Sequence, residues 1–277
     1  MYLTADFGAT NTRVASSNDL KSILKIKKFE TSPDFNEQVK ILNDTFEKLS
    51  KDSKVEGICI GSTGTLDRKE KRFLKAVNYP AKDGKSFDDL VDSRFKGVPL
   101  CIENDSALAG LGEAVFGSGK EFNVVAYLTL STGVGGVRVE KNGNYTKYFR
   151  SEPGHHIILE DGRLEVKSSI FGSMESYVSG TSFKEIFGVD PEFCEDEEAW
   201  DIFAKHLSTG VINVIAFWNP EIIILGGGVS NQFDRFIEPL MKYLGKQDFF
   251  KIPEIKESKL GDKAGIYGGF VHLKNCL

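Results

Sequence analysis

Short apolar stretches that end in glycine and small polar residues alternate along this chain with longer segments of helical periodicity. The first predicted strands are YLTADFG, TRVASS and a segment from about residue 22 to about residue 29. Their close succession indicates antiparallel neighbours that open a mixed sheet. Apolar residues then recur at helical spacing from about residue 34 to about residue 49, after a Ser-Pro-Asp start signal. The pattern predicts an α/β fold.

Two further buried strands, VEGICIGS and VPLCIEND, each end in small or polar residues, and a helix is predicted to begin at about Asp105. Strand ends of this kind converge on one edge of a sheet. A second strand-turn-strand, NVVAYLTLSTGVGGVRVEKNG, has the same layout as the opening ADFGATNTRVASS. This internal repeat predicts two similar domains that face each other around a cleft. Helices from about 197 to 217, 231 to 244 and from 264, with the strand EIIILGGG between the first two, complete the pattern.

The chain has 277 residues, more than one hydrophobic core usually supports. Loops are short and no Pro-rich or Ser-rich linker is present, so the domain boundary is predicted inside continuous secondary structure near Ala107. We expect a smaller N-terminal domain, residues 1–107 with 264–277, and a larger C-terminal domain, residues 108–263.

Composition narrows the function classes. The net charge is −5 and no basic stripe is present, which argues against nucleic acid as a partner because phosphate backbones bind clustered Lys and Arg. Four cysteines form no CxxC pair and are expected to be buried small hydrophobes in a reduced compartment. The N-terminus has no signal-peptide pattern and no apolar run approaches 18 residues. We therefore expect a cytoplasmic protein with no membrane partner.

The opening D-x-G-x-T motif contains Asp6, Gly8 and Thr10 at the end of a predicted strand. Glycine permits a tight turn there, and successive backbone N–H groups can point at phosphate oxygens. Asp6 would then hold the hydration shell of Mg²⁺, since a bare carboxylate repels phosphate unless a cation intervenes. An ordinary β-hairpin turn explains the motif equally well.

The second glycine-rich turn runs from Ser131 to Gly136 and includes Thr132 and Gly133. A strand follows it, so it is neither a Walker loop nor a Rossmann fingerprint, both of which require a following helix. Two such turns together indicate facing phosphate clamps, which transfer from a nucleoside triphosphate requires.

The third candidate is Glu103-Asn104-Asp105, between a buried strand and a helix. The helix dipole favours a charged carboxylate at this position, which suits a proton acceptor. Asn and Asp are also preferred N-cap residues, so a purely structural role stays open.

Polar residues further along suit a sugar. Glu152, His155 and, some twenty residues on, Glu175 can form paired hydrogen bonds to vicinal hydroxyls. The two adjacent histidines could instead belong to a metal site or to a turn. The segment Leu225 to Val229 ends a buried strand in three glycines, where adenine or ribose could lie against the backbone, or where only a simple turn is needed.

The ordered set of these motifs resembles the ROK family of sugar kinases and repressors, within the actin-like ATPase superfamily. The resemblance covers nearly the whole chain and rests on DFGATNTR, GSTGTLD, AVNYP, ENDSALAGLGE, STGVGG, EPGHH with GSMES, and ILGGGVS. It implies two actin-like (ribonuclease H-like) domains around a central cleft, each with a mixed five-stranded sheet flanked by helices. The implied activity is ATP-dependent phosphorylation of a hexose, first of all at the 6-hydroxyl of glucose, by a homodimer.

The resemblance also implies roles for single residues. Asp105 would be the catalytic base and Asp6 would bind Mg²⁺ through water. The hexose would be bound by Asp105 together with Gly64, Asn78, Asn104, Glu152, His155 and Glu175. ATP would be bound by Asp6, Gly8, Thr10, Asn11, Thr12, Arg13, Thr132, Gly133, Gly227 and Gly228.

Three departures from the family pattern are visible. The run that carries three zinc-binding cysteines in most relatives reads VKSSIFGSME here, from Val166 to Glu175, so no zinc is expected and His155 is expected to bond the sugar directly. Ser62-Thr63-Gly64 replaces a more usual Pro-Gly, and Ser131 replaces a usual glycine. The changes at Ser62-Thr63-Gly64 and at Ser131 leave open whether the sugar is glucose, mannose, fructose or an N-acetylhexosamine.

Two rival functions remain. A sugar-sensing, non-catalytic ROK repressor would carry a helix-turn-helix ahead of the kinase-like fold, and we expect no room for one before Asp6. An ATPase of the Hsp70 or actin kind would need no sugar acceptor. The EPGHH segment with Glu175 favours a sugar-binding protein over such an ATPase.

Overall fold

The structure, a computed structural model, describes the chain except residues 52, 144, 161, 163–169, 247 and 249–250. It divides into two units, Met1–Val115 with Asp262–Leu277, and Phe116–Gly261. The boundary expected near Ala107 from the sequence stays a prediction. Leu108, in the helix that begins at Asp105, lies against Gly61 and Gly268, which both belong to the first unit.

The first unit contains a five-stranded mixed sheet. Its strands are β1 (Tyr2–Phe7), β2 (Asn11–Ser17), β3 (Lys25–Glu30), β4 (Gly57–Ser62) and, after the small hairpin β5 (Thr65–Asp67) and β6 (Arg72–Lys75), β7 (Leu100–Asn104). The order is β3-β2-β1-β4-β7. β1, β2 and β3 pair antiparallel, while β4 runs parallel to β1 and to β7. The predicted antiparallel opening of a mixed sheet is therefore confirmed.

Three helices accompany this sheet: α1 (Phe35–Ser50), α2 (Asp105–Phe116) and, from the C-terminus, the last helix of the chain (Ala264–Cys276). Helix α1 begins where Asp34 accepts a 2.8 Å hydrogen bond from the Glu37 N–H, an ordinary N-cap. Leu42 and Phe46 lie on its buried face and are fully buried. Burial of this apolar face stabilises the helix on the sheet.

The second unit repeats the strand order of the first. Its strands are β8 (Val124–Leu130), β9 (Val134–Asn142), β10 (Tyr145–Ser151), β11 (Ile222–Gly226) and β12 (Glu254–Glu257), in the order β10-β9-β8-β11-β12. β8, β9 and β10 pair antiparallel, and β11 runs parallel to β8 and β12. The internal repeat read from the sequence thus corresponds to two sheets of equivalent topology.

Helices of the second unit are α3 (Glu175–Val178), α4 (Gly180–Phe187), α5 (Glu197–Trp218) and α6 (Phe233–Leu244), and the C-terminal helix of the first unit is α7. An aromatic cluster of Phe183, Trp200, Phe203 and Phe236 joins α4, α5 and α6, with neighbouring ring centroids 4.6 to 6.0 Å apart. Within the described residues, none of the helices combines the length and apolar character needed to cross a bilayer.

The cysteines differ in exposure. Cys59 and Cys194 are buried, as expected of small hydrophobes. Cys101 is partly exposed and Cys276, on the last turn of α7, is exposed, so the expectation of burial is wrong for Cys276. Helix ends have few neighbours to cover them, which the sequence pattern did not reveal.

Candidate functional site

The first Gly-Thr turn lies between β1 and β2. Gly8 closes it by donating its N–H to the Asn11 carbonyl at 3.1 Å, and a Cβ at Gly8 would stand 2.8 Å from that oxygen. Thr10 is exposed at the tip of the turn, and Asn11 is half-buried at the start of β2. The turn therefore presents backbone and the Thr10 hydroxyl at the C-terminal end of β1.

Thr12 has a different position from the one its motif suggests. It is fully buried, and its hydroxyl lies 2.8 Å from Gln38 Nε2 and 2.9 Å from Thr31 Oγ1. Buried hydroxyls normally find hydrogen-bond partners within the protein, and this one joins β2 to α1. The expected phosphate contact of Thr12 stays a prediction.

Asp6 lies among charged groups. Arg13 Nη1 is 3.5 Å from its carboxylate, and Arg13 Nη2 donates to Asp262 at 2.6 Å. Burial, together with the negative charge of Asp105, raises the pKa of Asp6 to about 7, although Arg13 acts in the opposite direction. A carboxylate whose proton affinity is raised by burial and by a second carboxylate is stabilised by a nearby cation. Asp6 is therefore the residue that would hold the expected Mg²⁺ through water, and the metal itself stays a prediction.

Asp105 is the first residue of α2, directly after β7. Asn104 caps this helix, since its Oδ1 accepts hydrogen bonds from the N–H groups of Ser106 at 3.0 Å and Ala107 at 3.2 Å. Asp105 Oδ1 accepts a further bond from the Ser106 N–H at 2.8 Å. Asn104 therefore acts as the N-cap of α2. Because its oxygen is used for this cap, its amide nitrogen is the atom that could donate to a sugar.

Burial raises the pKa of Asp105 above its usual value, while the Ser106 N–H and the positive charge of Lys82 act against that rise. A carboxylate of increased proton affinity at a helix N-terminus can accept a proton. Glu103, one position earlier, is fully buried, forms an ion pair with Arg68 and accepts the Asn104 N–H at 2.8 Å. Of the three polar residues at this strand end, Glu103 pairs with Arg68, Asn104 caps α2, and Asp105 is the candidate proton acceptor.

Two loops of the first unit were expected to contact the sugar. Gly64 follows β4 with φ of +91°, and a Cβ there would stand 2.6 Å from the Lys75 carbonyl, so both conformation and space require glycine. Asn78 is exposed after β6. Lys82 lies nearby, is fully buried and donates to Ser62 Oγ and Thr63 Oγ1. Sequence reasoning missed Lys82 because a lysine beside glycine and aspartate is typical of an exposed turn.

The second glycine-rich turn joins β8 to β9 and is held by Glu175. Glu175 is almost fully buried, and its Oε2 accepts the Val134 N–H at 2.8 Å. A Cβ at Gly133 would stand 2.5 Å from the same oxygen, so glycine is needed for this approach. Thr132 is exposed, and its carbonyl accepts a bond from the Thr181 hydroxyl at 2.8 Å. Glu175 thus supports a turn assigned to phosphate, whereas the sequence placed it among sugar ligands.

Glu152 and His155 lie at a short 3₁₀ helix, Pro153–His155, that follows β10. Glu152 is exposed, and the Met174 N–H donates to the His156 carbonyl at 2.9 Å, which connects this segment to the residue before Glu175. His155 Nδ1 and His156 Nε2 are buried and lack hydrogen-bond partners among the described residues. Burial lowers the pKa of His156, which favours the neutral ring.

The zinc expectation falls partly outside the described chain. Residues 163–169, which include the first part of the run from Val166, are not described. Among the residues that are, no group of three or more His, Cys, Asp or Glu is placed to hold a metal ion. The absence of zinc stays a prediction.

Gly227 and Gly228 follow β11 and differ in surroundings. A Cβ at Gly227 would stand 2.5 Å from the Leu130 carbonyl, so glycine there permits close backbone packing. A Cβ at Gly228 would meet no atom within 4 Å. Of the two, Gly228 has the open side that a nucleotide could cover.

Within each unit the expected residues come together. The first unit brings Asp6, the Gly8 turn and the Asn104-Asp105 pair to the C-terminal ends of the parallel strands β1 and β7. The second unit brings the Thr132 turn, Glu175 and the histidine segment together through the hydrogen bonds described above. Each unit therefore contains some of the residues that were expected to bind the sugar and ATP.

Comparison with known proteins gives the class of this molecule. The sequence model of the ROK family matches residues 2–275, and the chain belongs to the ROK family. It is 25% identical to a glucokinase of Streptomyces coelicolor, over 97% of this chain and 96% of that protein. It is also 25% identical to an N-acetyl-D-glucosamine kinase of Vibrio parahaemolyticus, over 99% of this chain and 100% of that one.

The fold is also that of known members. A ROK family glucokinase from Streptomyces griseus, solved in complex with glucose and AMPPNP, superposes with a TM-score of 0.80 at 24% identity and covers 99% of both chains. The two mixed sheets flanked by helices thus form the actin-like fold that the sequence motifs implied.

Proposed function

We propose that this protein transfers the γ-phosphoryl group of ATP to a hydroxyl of a hexose. The observation that carries the proposal is Asp105, a partly buried carboxylate at the junction of β7 and α2 whose pKa is raised. Family membership and the glucokinase and N-acetylglucosamine kinase relatives support a sugar as acceptor. The ATP analogue bound by the Streptomyces griseus relative supports ATP as donor.

In this proposal Asp105 accepts the proton of the attacking hydroxyl. The hydroxyl oxygen forms a bond to the γ-phosphorus while the bond from that phosphorus to the β–γ bridging oxygen breaks, and ADP leaves. Bound Mg²⁺, held through water by Asp6, would neutralise charge on the phosphates. Such a cation would favour the ionised form of Asp6, whose pKa is raised to about 7 by burial and by the charge of Asp105.

The remaining contacts are assigned by position. We assign the phosphates to the backbone of the Gly8 and Gly133 turns with the hydroxyls of Thr10 and Thr132, and the adenosine to the open side of Gly228. The sugar is assigned to Asn104, Gly64 and Asn78 of the first unit and to Glu152 and His155 of the second. Arg13 is proposed to act through Asp6, to which it is paired.

Glucose, phosphorylated at its 6-hydroxyl, is the first substrate we propose. Mannose, fructose and an N-acetylhexosamine are the alternatives, because kinases named for glucose and for N-acetylglucosamine are equally similar to this chain. A homodimer in the cytoplasm is also part of the proposal.

A coupled assay of ADP release with Mg-ATP, across a panel of hexoses, tests this function. The wild-type protein should release ADP only when an accepted hexose is present. Asp105→Asn should lower kcat roughly 10²- to 10⁴-fold, because the amide cannot accept the proton, and should leave the Kd of the sugar nearly unchanged.

Asp88→Asn is the matched control, since Asp88 is exposed on the same unit and should tolerate the same change. ATP hydrolysis that is independent of every sugar would refute the proposal, and so would near-normal turnover of Asp105→Asn.

A further inference from the structure

Lys82 is a fully buried lysine that the assignments above leave without a role in the reaction. It ends the short 3₁₀ helix Pro80–Lys82 and is among the largest side chains of the protein with no exposed surface. Lysine is rarely buried without an ion pair, because its ammonium must give up hydration. No carboxylate within ion-pair distance of Lys82 occurs among the described residues.

The ammonium instead lies between hydroxyls and aromatic rings. Nζ donates to Ser62 Oγ at 2.6 Å and to Thr63 Oγ1 at 3.1 Å. It lies 5.0 Å from the ring centroid of Phe7 and 5.2 Å from that of Phe73, within the range of cation–π attraction. Four groups from three separate segments thus hold one positive charge in a fixed place.

Ser62 and Thr63 are the residues that depart from the Pro-Gly of the family pattern. They link β4 to Gly64, and β4 pairs in parallel with β7, so that Ser62 lies opposite Asn104 in the sheet register. The hydroxyls that Lys82 binds therefore lie at the C-terminal end of β4, next to the strand end that leads to the proposed base. Proline and glycine have no hydroxyl group, so a Pro-Gly sequence here could not accept these hydrogen bonds from Lys82.

The charge of Lys82 also acts on Asp105. Burial lowers the pKa of Lys82 to about 8, while the negative charges of Asp105 and Asp83 oppose this change. In the other direction, Lys82 holds down the pKa that burial raises for Asp105. Asp6 is the further charged group that interacts with Asp105, and it has the opposite sign to Lys82. Lys82 is thus the cation that offsets burial at the proposed base.

We propose that Lys82 is a positioning residue of the phosphoryl transfer: its ammonium holds the Ser62–Thr63 segment at the end of β4, next to the strand that leads to Asp105, and its positive charge acts on the Asp105 carboxyl. The inference rests on the proposed function of Asp105 and deepens it. A purely structural lysine is the competing explanation. Methionine would fill the same aromatic surroundings without a buried charge, so packing alone does not call for lysine.

Three variants separate the hydrogen bonds from the charge. Lys82→Gln removes the charge but keeps a donor for Ser62 and Thr63, whereas Lys82→Met removes both. The double variant Ser62→Ala/Thr63→Val removes the acceptors and keeps the charge. Lys85→Met is the matched control, because Lys85 lies on the same loop, is partly exposed and contacts the ring of Phe35.

The readouts are kcat, the KM of the sugar and the acid limb of the kcat profile against pH. Both Lys82 variants should shift the acid limb upward, because they remove a positive charge that lowers the pKa of Asp105. Lys82→Met and the double variant should raise the KM of the sugar about tenfold, because the loop loses its anchor. The double variant should leave the acid limb unchanged, and Lys85→Met should change neither quantity.

A direct measurement keeps this inference separate from the proposed function. The pKa of the Asp105 carboxyl, followed by ¹³C NMR in protein labelled at aspartate, should rise in Lys82→Gln whether or not a substrate sugar has been found. An unchanged Asp105 pKa overturns the inference even if the wild-type protein is a kinase. Absence of sugar kinase activity with a raised Asp105 pKa would instead remove the proposed function and leave the electrostatic coupling established.

Discussion

Glu175 contacts a different partner from the one its motif implied. Sequence reasoning assigned it to sugar hydroxyls, yet its Oε2 accepts the Val134 N–H and lies against Gly133. An almost fully buried carboxylate that accepts a backbone hydrogen bond fixes the backbone around it. Glu175 therefore connects the segment that follows the histidines to the turn assigned to phosphate.

Substitution of Glu175 distinguishes these two roles. Glu175→Ala should raise the KM of ATP about tenfold or more, because loss of a hydrogen bond to a charged group costs about 1.5–3 kcal/mol. Glu175→Gln retains an acceptor for Val134 and should preserve the KM of ATP. Steady-state kinetics with ATP and sugar varied separately provide the measurement. A rise confined to the KM of the sugar in both variants would favour the role expected from the sequence.

At the scale of elements, β2 and α1 are joined by buried side-chain hydrogen bonds. Thr12 of β2, Gln38 of α1 and Thr31 before the helix form a closed set of polar contacts beneath the first turn. Thr31 Oγ1 also donates to the Gly8 carbonyl at 2.8 Å. The helix thus supports the turn through side chains that the ligand need not touch.

Thr12→Val should therefore affect folding more than catalysis. Valine fills the same space but leaves Gln38 Nε2 without its acceptor, which costs about 1–3 kcal/mol when the group is buried. Urea unfolding should show this loss of stability, while the KM of ATP changes little. Thr10→Val, at the exposed tip of the turn, is the comparison that should show the reverse. Equal stability of the Thr12→Val protein would mean that the buried contacts contribute nothing.

Elements with strong local signals were predictable from the sequence. The Gly-Thr turns, the start of α2 at Asp105 and the paired sheets follow from strand alternation, glycine position and capping residues. Residues whose roles depend on distant partners were not predictable. Lys82 resembled a surface residue because its hydroxyl partners lie some twenty positions away, and the inward direction of Thr12 depends on Gln38 of α1.

At the scale of the whole molecule, the partly buried carboxyl of Asp6 makes the free energy of unfolding depend on pH and on bound metal. The pKa of Asp6 rises from 3.8 to about 7 on folding, so the folded state binds more protons than the unfolded state between these values. The stabilisation is therefore complete below pH 4 and is lost as the pH rises through 7, to the extent of roughly 4 kcal/mol at most. A cation at Asp6 opposes this loss.

Thermal unfolding with and without MgCl₂ tests the coupling. Added Mg²⁺ should raise Tm at pH 8, where Asp6 is ionised, and have little effect at pH 5, where Asp6 is protonated. Asp6→Asn should abolish the Mg²⁺ effect at both pH values. A Mg²⁺ effect of equal size at both pH values, or one that persists in Asp6→Asn, would place the metal elsewhere.

The first unit is built from both ends of the chain, while the second is one continuous stretch. Helix α7 packs against β1 and β4, with Leu273 against Gly57 and Gly269 against Thr4. During translation, residues 116–261 leave the ribosome before α7 does, so the second unit can fold while the sheet of the first still lacks this cover. Until α7 emerges and packs against β1 and β4, the nascent chain exposes an apolar sheet face that could aggregate.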